Sequence, residues 1–131
     1  MKLVYPAIFT PFEEEDGYAV EFPDLPGCVT EGQDLGDAIY MAVDAASGWV
    51  LTELEDGKEA PKASPISTVT APKGSFVSLV ALDMDAYAKQ YGNKAVKKTL
   101  TIPAWMDTYA EKHNISCSEI LQEAIGKMAS A

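Results

Sequence analysis

At 131 residues, 47% of them hydrophobic, the chain has material for one modest core, or for one core plus a small module that completes itself by oligomerising. No long run of apolar residues occurs, and the opening Met1-Lys2-Leu3-Val4-Tyr5-Pro6 lacks the stretch and cleavage site of an export signal, so a cytoplasmic protein with no membrane partner is expected. A formal net charge of −10 argues against a general nucleic-acid binder, yet residues 1–91 carry 5 lysines against 16 acids, whereas residues 92–131 carry 5 lysines against 4 acids.

Leu3 to Phe12 is apolar and β-prone, Glu13-Glu14-Glu15-Asp16-Gly17 is a charged tip ending in the Asp-Gly turn dipeptide, and Tyr18 to Phe22 alternates with period two. These residues predict a hairpin. Pro23-Asp24-Leu25-Pro26-Gly27 forces a turn before a short extended Cys28-Val29-Thr30. Asp34 is placed to cap a helix whose apolar positions, Leu35 through Leu54, follow three- and four-residue spacing, and Asp56-Gly57 ends it. Three prolines make residues 58–73 an irregular connection, after which Phe76 to Leu82 reads as a fourth strand and Asp83 as the cap of a short helix stopping at Gly92-Asn93. The order strand, strand, strand, helix, strand, helix predicts an α+β layer over residues 1–92, with the long helix covering one sheet face.

Residues 93–131 are too few to bury a core alone, so dimerisation is expected. In Ala95 to Pro103 the side chains alternate: Val96, Leu100 and Ile102 share one face of a strand, and Lys97, Thr99 and Thr101 share the other. Lys98 falls on the apolar side. Pro103 leads a helix with the stripe Trp105, Met106, Tyr109 and Ala110, and Ser116-Cys117-Ser118-Glu119 fits the capping box of a second helix carrying Ile120, Leu121, Ala124, Ile125 and Met128. His113, the only histidine, reads as a residue at the end of the first of these helices. Cys28 and Cys117 have no CxxC spacing and are expected reduced and structural; no metal or other cofactor is expected.

This ordered pattern of strand, Pro-led helix, turn and Ser-capped helix resembles the ribbon-helix-helix DNA-binding module. The resemblance implies that two copies pair their strands antiparallel into a homodimer and lay the ribbon in the major groove of operator DNA. By the motif's register Lys97, Thr99 and Thr101 would face the base edges, where lysine donates to guanine and threonine hydrogen-bonds or touches a thymine methyl. Lys94 would approach phosphate, and Ser116, Cys117 and Ser118 would offer the N-terminus of the last helix to another phosphate. Dimers that pair again would give a tetramer.

The first part of the chain is similar to the HicB domain, through Gly17-Tyr18-x-Val20-x-Phe22-Pro23-Asp24-Leu25-Pro26-Gly27-Cys28-x-Thr30-x-Gly32 and the alanine-rich helix after it. That likeness implies a partial ribonuclease-H-like fold, an antiparallel sheet plus helices, that covers and inhibits a small basic ribonuclease, the HicA-type toxin, and an antitoxin that represses its own operon. Glu21 and Asp24 beside the Pro-Gly turn, with Tyr18 as an aromatic anchor, are the expected toxin contacts. Solubility alone would also account for the acid excess. Catalysis by two metals needs converging carboxylates; the ribonuclease-H likeness implies that the first of them would sit inside the first strand, and Lys2 to Phe12 contains no acid, so no enzymatic activity is expected. The alternative is a ribbon-helix-helix regulator whose first domain senses a small ligand.

Overall fold

The structure, a computed structural model, describes residues 1–92 and 94–129. Asn93, half of the expected domain boundary, lies outside the described residues, as do Ser130 and Ala131. Two compact units are present, one spanning Lys2–Gly92 and the other built from Met1 and the described residues after Gly92.

The first unit runs β1 (Lys2–Pro11), β2 (Tyr18–Glu21), β3 (Val29–Gly32), α1 (Leu35–Glu55), a single 3-10 turn at Ile66–Thr68, β4 (Phe76–Asp83) and α2 (Met84–Tyr91). The strands form one sheet in the order β3-β2-β1-β4, antiparallel at every pairing, so the fold is α+β. Alternation along β1 sends Tyr5, Ala7 and Phe9 to the inner face, where they meet Val20 of β2 and Val80 and Leu82 of β4. Against this face α1 lays a spine of small residues, Ala38, Ala42 and Ala46, ending in Val50, all buried. Alanine at four-residue spacing lets helix and sheet approach closely, and each large side chain enclosed between them contributes roughly 1.5–3 kcal/mol.

Local chemistry fixes where these elements begin. The Asp34 carboxylate accepts from the Asp37 amide at 2.8 Å, while the Asp37 carboxylate accepts from the Gln33 amide at 2.9 Å, which closes the start of α1 reciprocally. Gly32 is needed where β3 hands over to α1, since a Cβ there would lie 2.2 Å from the Ala38 nitrogen. Asp83 caps α2 by accepting from Ala86 at 3.2 Å. Pro6 is tolerated because that half of β1 has a strand neighbour on the β4 side only.

The second unit contains α3 (Ala104–Lys112) and α4 (Cys117–Ala129). Their turn is closed by Asn114 in the left-handed region and by the Ile115 amide donating to the Ala110 carbonyl at 2.9 Å. His113 ends α3, its ring stacked on Tyr109 with centroids 4.0 Å apart. The strand expected over residues 95–102 is not formed: residues 94–103 are exposed and in no helix or sheet. A strand's backbone groups are satisfied only by a neighbouring strand, and the single chain supplies none to this segment.

Candidate functional site

The face of the sheet turned away from α1 carries Val4, Pro6, Ile8 and Thr10 of β1, Ala19 and Glu21 of β2, Val29 and Glu31 of β3, and Val77, Leu79 and Ala81 of β4. Register places Glu21 directly between Ile8 and Val29, and Ala19 between Thr10 and Glu31. The segment from Ser64 to Thr70 forms a wall beside these strands and leaves an open groove of about 450 Å³, floored by Ile8 and Val29, with Glu21 and Val69 at its sides. A second hollow of about 560 Å³ shares Ile8, Glu21 and Val29 and adds Thr10, Ala19 and Glu31. Ile8 is buried in the floor, whereas Val29 is 67% exposed.

The wall is tied down by hydrogen bonds. Both Asp24 carboxylate oxygens accept from Ser64, one from its amide at 2.9 Å and the other from its hydroxyl at 2.6 Å. The Tyr5 hydroxyl donates to the Pro61 carbonyl at 2.6 Å, and burial, then the Asp24 charge, pushes its pKa upward. The Trp49 indole donates to the Pro26 carbonyl at 3.1 Å and anchors the Pro-Gly turn to α1. Cys28 is buried in that turn, and desolvation raises its thiol pKa, which keeps the sulfur protonated and unreactive.

The three residues expected to contact a partner are not on one surface. Glu21 is exposed in the groove. Asp24 is half-buried and engaged with Ser64, so it shapes the wall. Tyr18 has the same strand parity as Val20 and therefore belongs to the opposite sheet face, half-buried with its ring edge-on to Phe76 at 6.1 Å. Ile8, Val29, Glu31 and Val69 were not expected at the site. The Val29-x-Glu31 alternation is visible in the sequence, but its alignment with Glu21 follows only from strand pairing.

In the second unit Lys97, Thr99 and Thr101 are exposed, as are Lys94 and Lys98. Val96, Leu100 and Ile102 are exposed too, together with Trp105, Met106, Tyr109, Ile120, Ile125 and Met128. Among the described residues of this unit only Ala110 is buried. At the start of α4 the Ser116 hydroxyl accepts from the Glu119 amide at 3.2 Å, and the Ser118 hydroxyl accepts from the Gln122 amide group at 3.1 Å. Cys117 is an exposed free thiol between them.

Among the described residues no three His, Cys, Asp or Glu side chains gather where a metal ion could be held. The acids Glu13 to Asp16 are exposed at the β1–β2 turn, and Asp83 serves as a helix cap. Among the same residues no helix is long and apolar enough to cross a membrane.

Residues 5–130 match the family described as HicB_like antitoxin of bacterial toxin-antitoxin system. A 14.9 kDa uncharacterized protein of Haemophilus phage HP1 is 36% identical over 90 residues, 68% of this chain and 66% of that protein. Antitoxin HicB 1 of Photorhabdus laumondii is 37% identical over 62 residues, 47% of this chain and 39% of the relative, so the chain spans less than two thirds of either curated relative. Among solved structures, a chain from a toxin–antitoxin complex of Streptococcus pneumoniae superimposes with a TM-score of 0.62 at 28% identity, covering 98% of this chain and 99% of that one. On the family match, which takes in both compact units, this chain belongs to the HicB-like antitoxin family.

Proposed function

We propose that this chain neutralises a small basic HicA-type toxin that cleaves mRNA, and that its C-terminal unit represses the operon of the pair by binding operator DNA as a homodimer. The observation that carries the DNA-binding half is the state of residues 94–129. Nine large apolar side chains are exposed there, and before Pro103 three of them, Val96, Leu100 and Ile102, alternate in the sequence with Lys97, Thr99 and Thr101. A second copy of the segment would complete a two-stranded ribbon, satisfy its backbone and bury Val96, Leu100 and Ile102. The ribbon's outer side would then carry lysine and threonine to the base edges of a major groove. Lys94, and the first turn of α4 at Ser116, Cys117 and Ser118, would meet phosphates; their backbone N–H groups serve there, since the Ser116 and Ser118 hydroxyls already accept hydrogen bonds. The toxin-binding half is supported by family membership and by the likeness to a chain of a toxin–antitoxin complex. The acid-rich first unit is complementary to a protein that binds RNA, and Glu21 is its proposed contact in the groove.

The test is co-expression with the adjacent short gene for a basic protein, followed by affinity capture and a gel shift on the upstream DNA. Co-elution, relief of toxicity and a sequence-specific shift are expected. Separate elution at micromolar concentration ends the neutralisation reading, and equal shifts on operator and random DNA end the repressor reading.

A further inference from the structure

An antiparallel sheet with one free face normally turns polar side chains to solvent, yet the free face of this sheet is largely apolar. Val4, Leu79 and Val29 are all exposed on it, from one edge of the sheet to the other. This face is not continuous: Pro6 and Ile8 in its middle are buried by the rest of the unit, while the apolar positions left exposed around them mark a surface available to another macromolecule. Its polar exceptions are concentrated at one end. Glu21 is opposite Val29, and Glu31 follows two residues later on the same face, so the two residues are diagonal neighbours across the β2–β3 pair, with backbone positions about 7–8 Å apart. Among the described residues neither has an ion-pair partner.

Two carboxylates on one side of a hollow with an apolar floor, neither of them ion-paired, are complementary to a cation between them. The groove formed by the second hollow, which Glu21 and Glu31 line together, also favours a particular shape of cation: Ile8 and Val29 offer an aliphatic lining leading to the carboxylates. Lysine and arginine have that build, an aliphatic stem that covers apolar surface and a charged head that stays polar. A compact metal ion would leave the lining uncovered.

We infer that this groove is the anchor slot for one lysine or arginine side chain of the basic toxin, its stem lying over Ile8 and Val29 and its head held between Glu21 and Glu31. The inference rests on the proposed antitoxin role and deepens it by naming the chemistry that the first unit recognises. Charge complementarity selects this occupant over a second copy of the chain, whose corresponding face would bring two more carboxylates.

The experiment titrates the full-length protein with the separately purified basic product of the adjacent gene, by calorimetry at low and at physiological ionic strength. Glu21→Gln/Glu31→Gln removes both charges without changing volume, and Val29→Lys places a competing ammonium in the slot at an exposed position. Glu13→Gln/Glu15→Gln, at the remote turn tip, matches the double variant in net charge. Thermal melting confirms folding for each. Binding weaker by about tenfold or more is expected for both groove variants, with the tip variant close to wild type. If groove and tip variants bind alike, the slot is refuted while the antitoxin role stands. If the wild type itself does not bind, the role and the slot fall together. If the groove variants instead change the sedimentation of the free protein, the occupant is a second copy and the inference is wrong.

Discussion

Replacing Asp24 by alanine tests whether the Pro-Asp-Leu-Pro-Gly turn holds the groove wall. The wild-type carboxylate accepts two hydrogen bonds from Ser64, at 2.9 and 2.6 Å, in a half-buried setting. A hydrogen bond to a charged acceptor is worth about 1.5–3 kcal/mol, and a buried amide left without an acceptor costs about 1–3 kcal/mol. Because one partner makes both bonds and water reaches part of the site, the terms do not add fully, and a loss of about 2–3 kcal/mol is expected. For a unit of this size that lowers the melting temperature by roughly 10–20 °C. Trp49 is the natural reporter, since its indole donates to Pro26 in the same turn, and Trp105→Phe removes the only other tryptophan. Urea unfolding followed by Trp49 fluorescence measures the change, and proteolysis should open the 58–75 connection first. Asp24→Asn keeps an acceptor oxygen and should recover about half of the loss. If both variants unfold within about 0.5 kcal/mol of the parent, the carboxylate does not hold the wall.

Other substitutions probe the second unit and the buried titratable groups. Thr99→Ala or Thr101→Ala should weaken operator binding by about 1–3 kcal/mol with the dimer intact; an identical loss on random DNA in a competition gel shift would contradict base reading. Leu100→Lys puts a charge on the face expected to pair, so sedimentation should report a monomer that no longer shifts DNA, while the Trp49 signal of the first unit is unchanged. A persistent dimer would show that the ribbon is not the pairing surface. Burial raises the pKa values of Cys28 and Tyr5, and of Tyr87, which also faces Asp44 and Tyr91. The folded state then holds these protons more tightly than the unfolded state, so their contribution is complete at lower pH and is lost as pH climbs through the raised values. Melting temperature should therefore be insensitive to these groups at neutral pH and fall above the ordinary thiol value of 9.0 and phenol value of 10.0. Cys28→Ser should not abolish the phenol part of that decline.

Much of the first unit was legible because its signals are local. Asp-Gly at the hairpin tip, Asp34 before the periodic stretch and Asp83 before α2 each act within four residues, and each behaves as its chemistry requires. The face on which a strand residue falls was legible too, although it demanded parity rather than composition: Tyr18 and Glu21 are three positions apart on one strand, which puts them on opposite faces. What could not be read was contact across sequence distance. Ser64 gives no local sign that it will bind Asp24, forty residues away, and Glu31 joins Glu21 only through the β2–β3 register. Wall-building and the proposed partner contact therefore fall to different acids near the same turn, the first to Asp24, which is half-buried, and the second to Glu21, which is exposed on β2.

The second unit reverses that relation, because its sequence is more informative than its single-chain structure. Alternation from Val96 to Ile102 is a strand signal, yet the segment is in no sheet, and the stripe from Trp105 to Tyr109 remains exposed. Both departures have one cause. A strand without a neighbour gains no ladder bonds, and two short helices enclose too little volume to bury nine large side chains. A pattern that is regular in sequence and unsatisfied in one chain would be satisfied by repeating it about a two-fold axis, as the proposed homodimer does, since the same face would then serve both copies. The proposed role of the lysine-threonine side depends on that step: a lone segment has no fixed spacing to present, whereas a paired ribbon would hold successive side chains at the repeat of a strand.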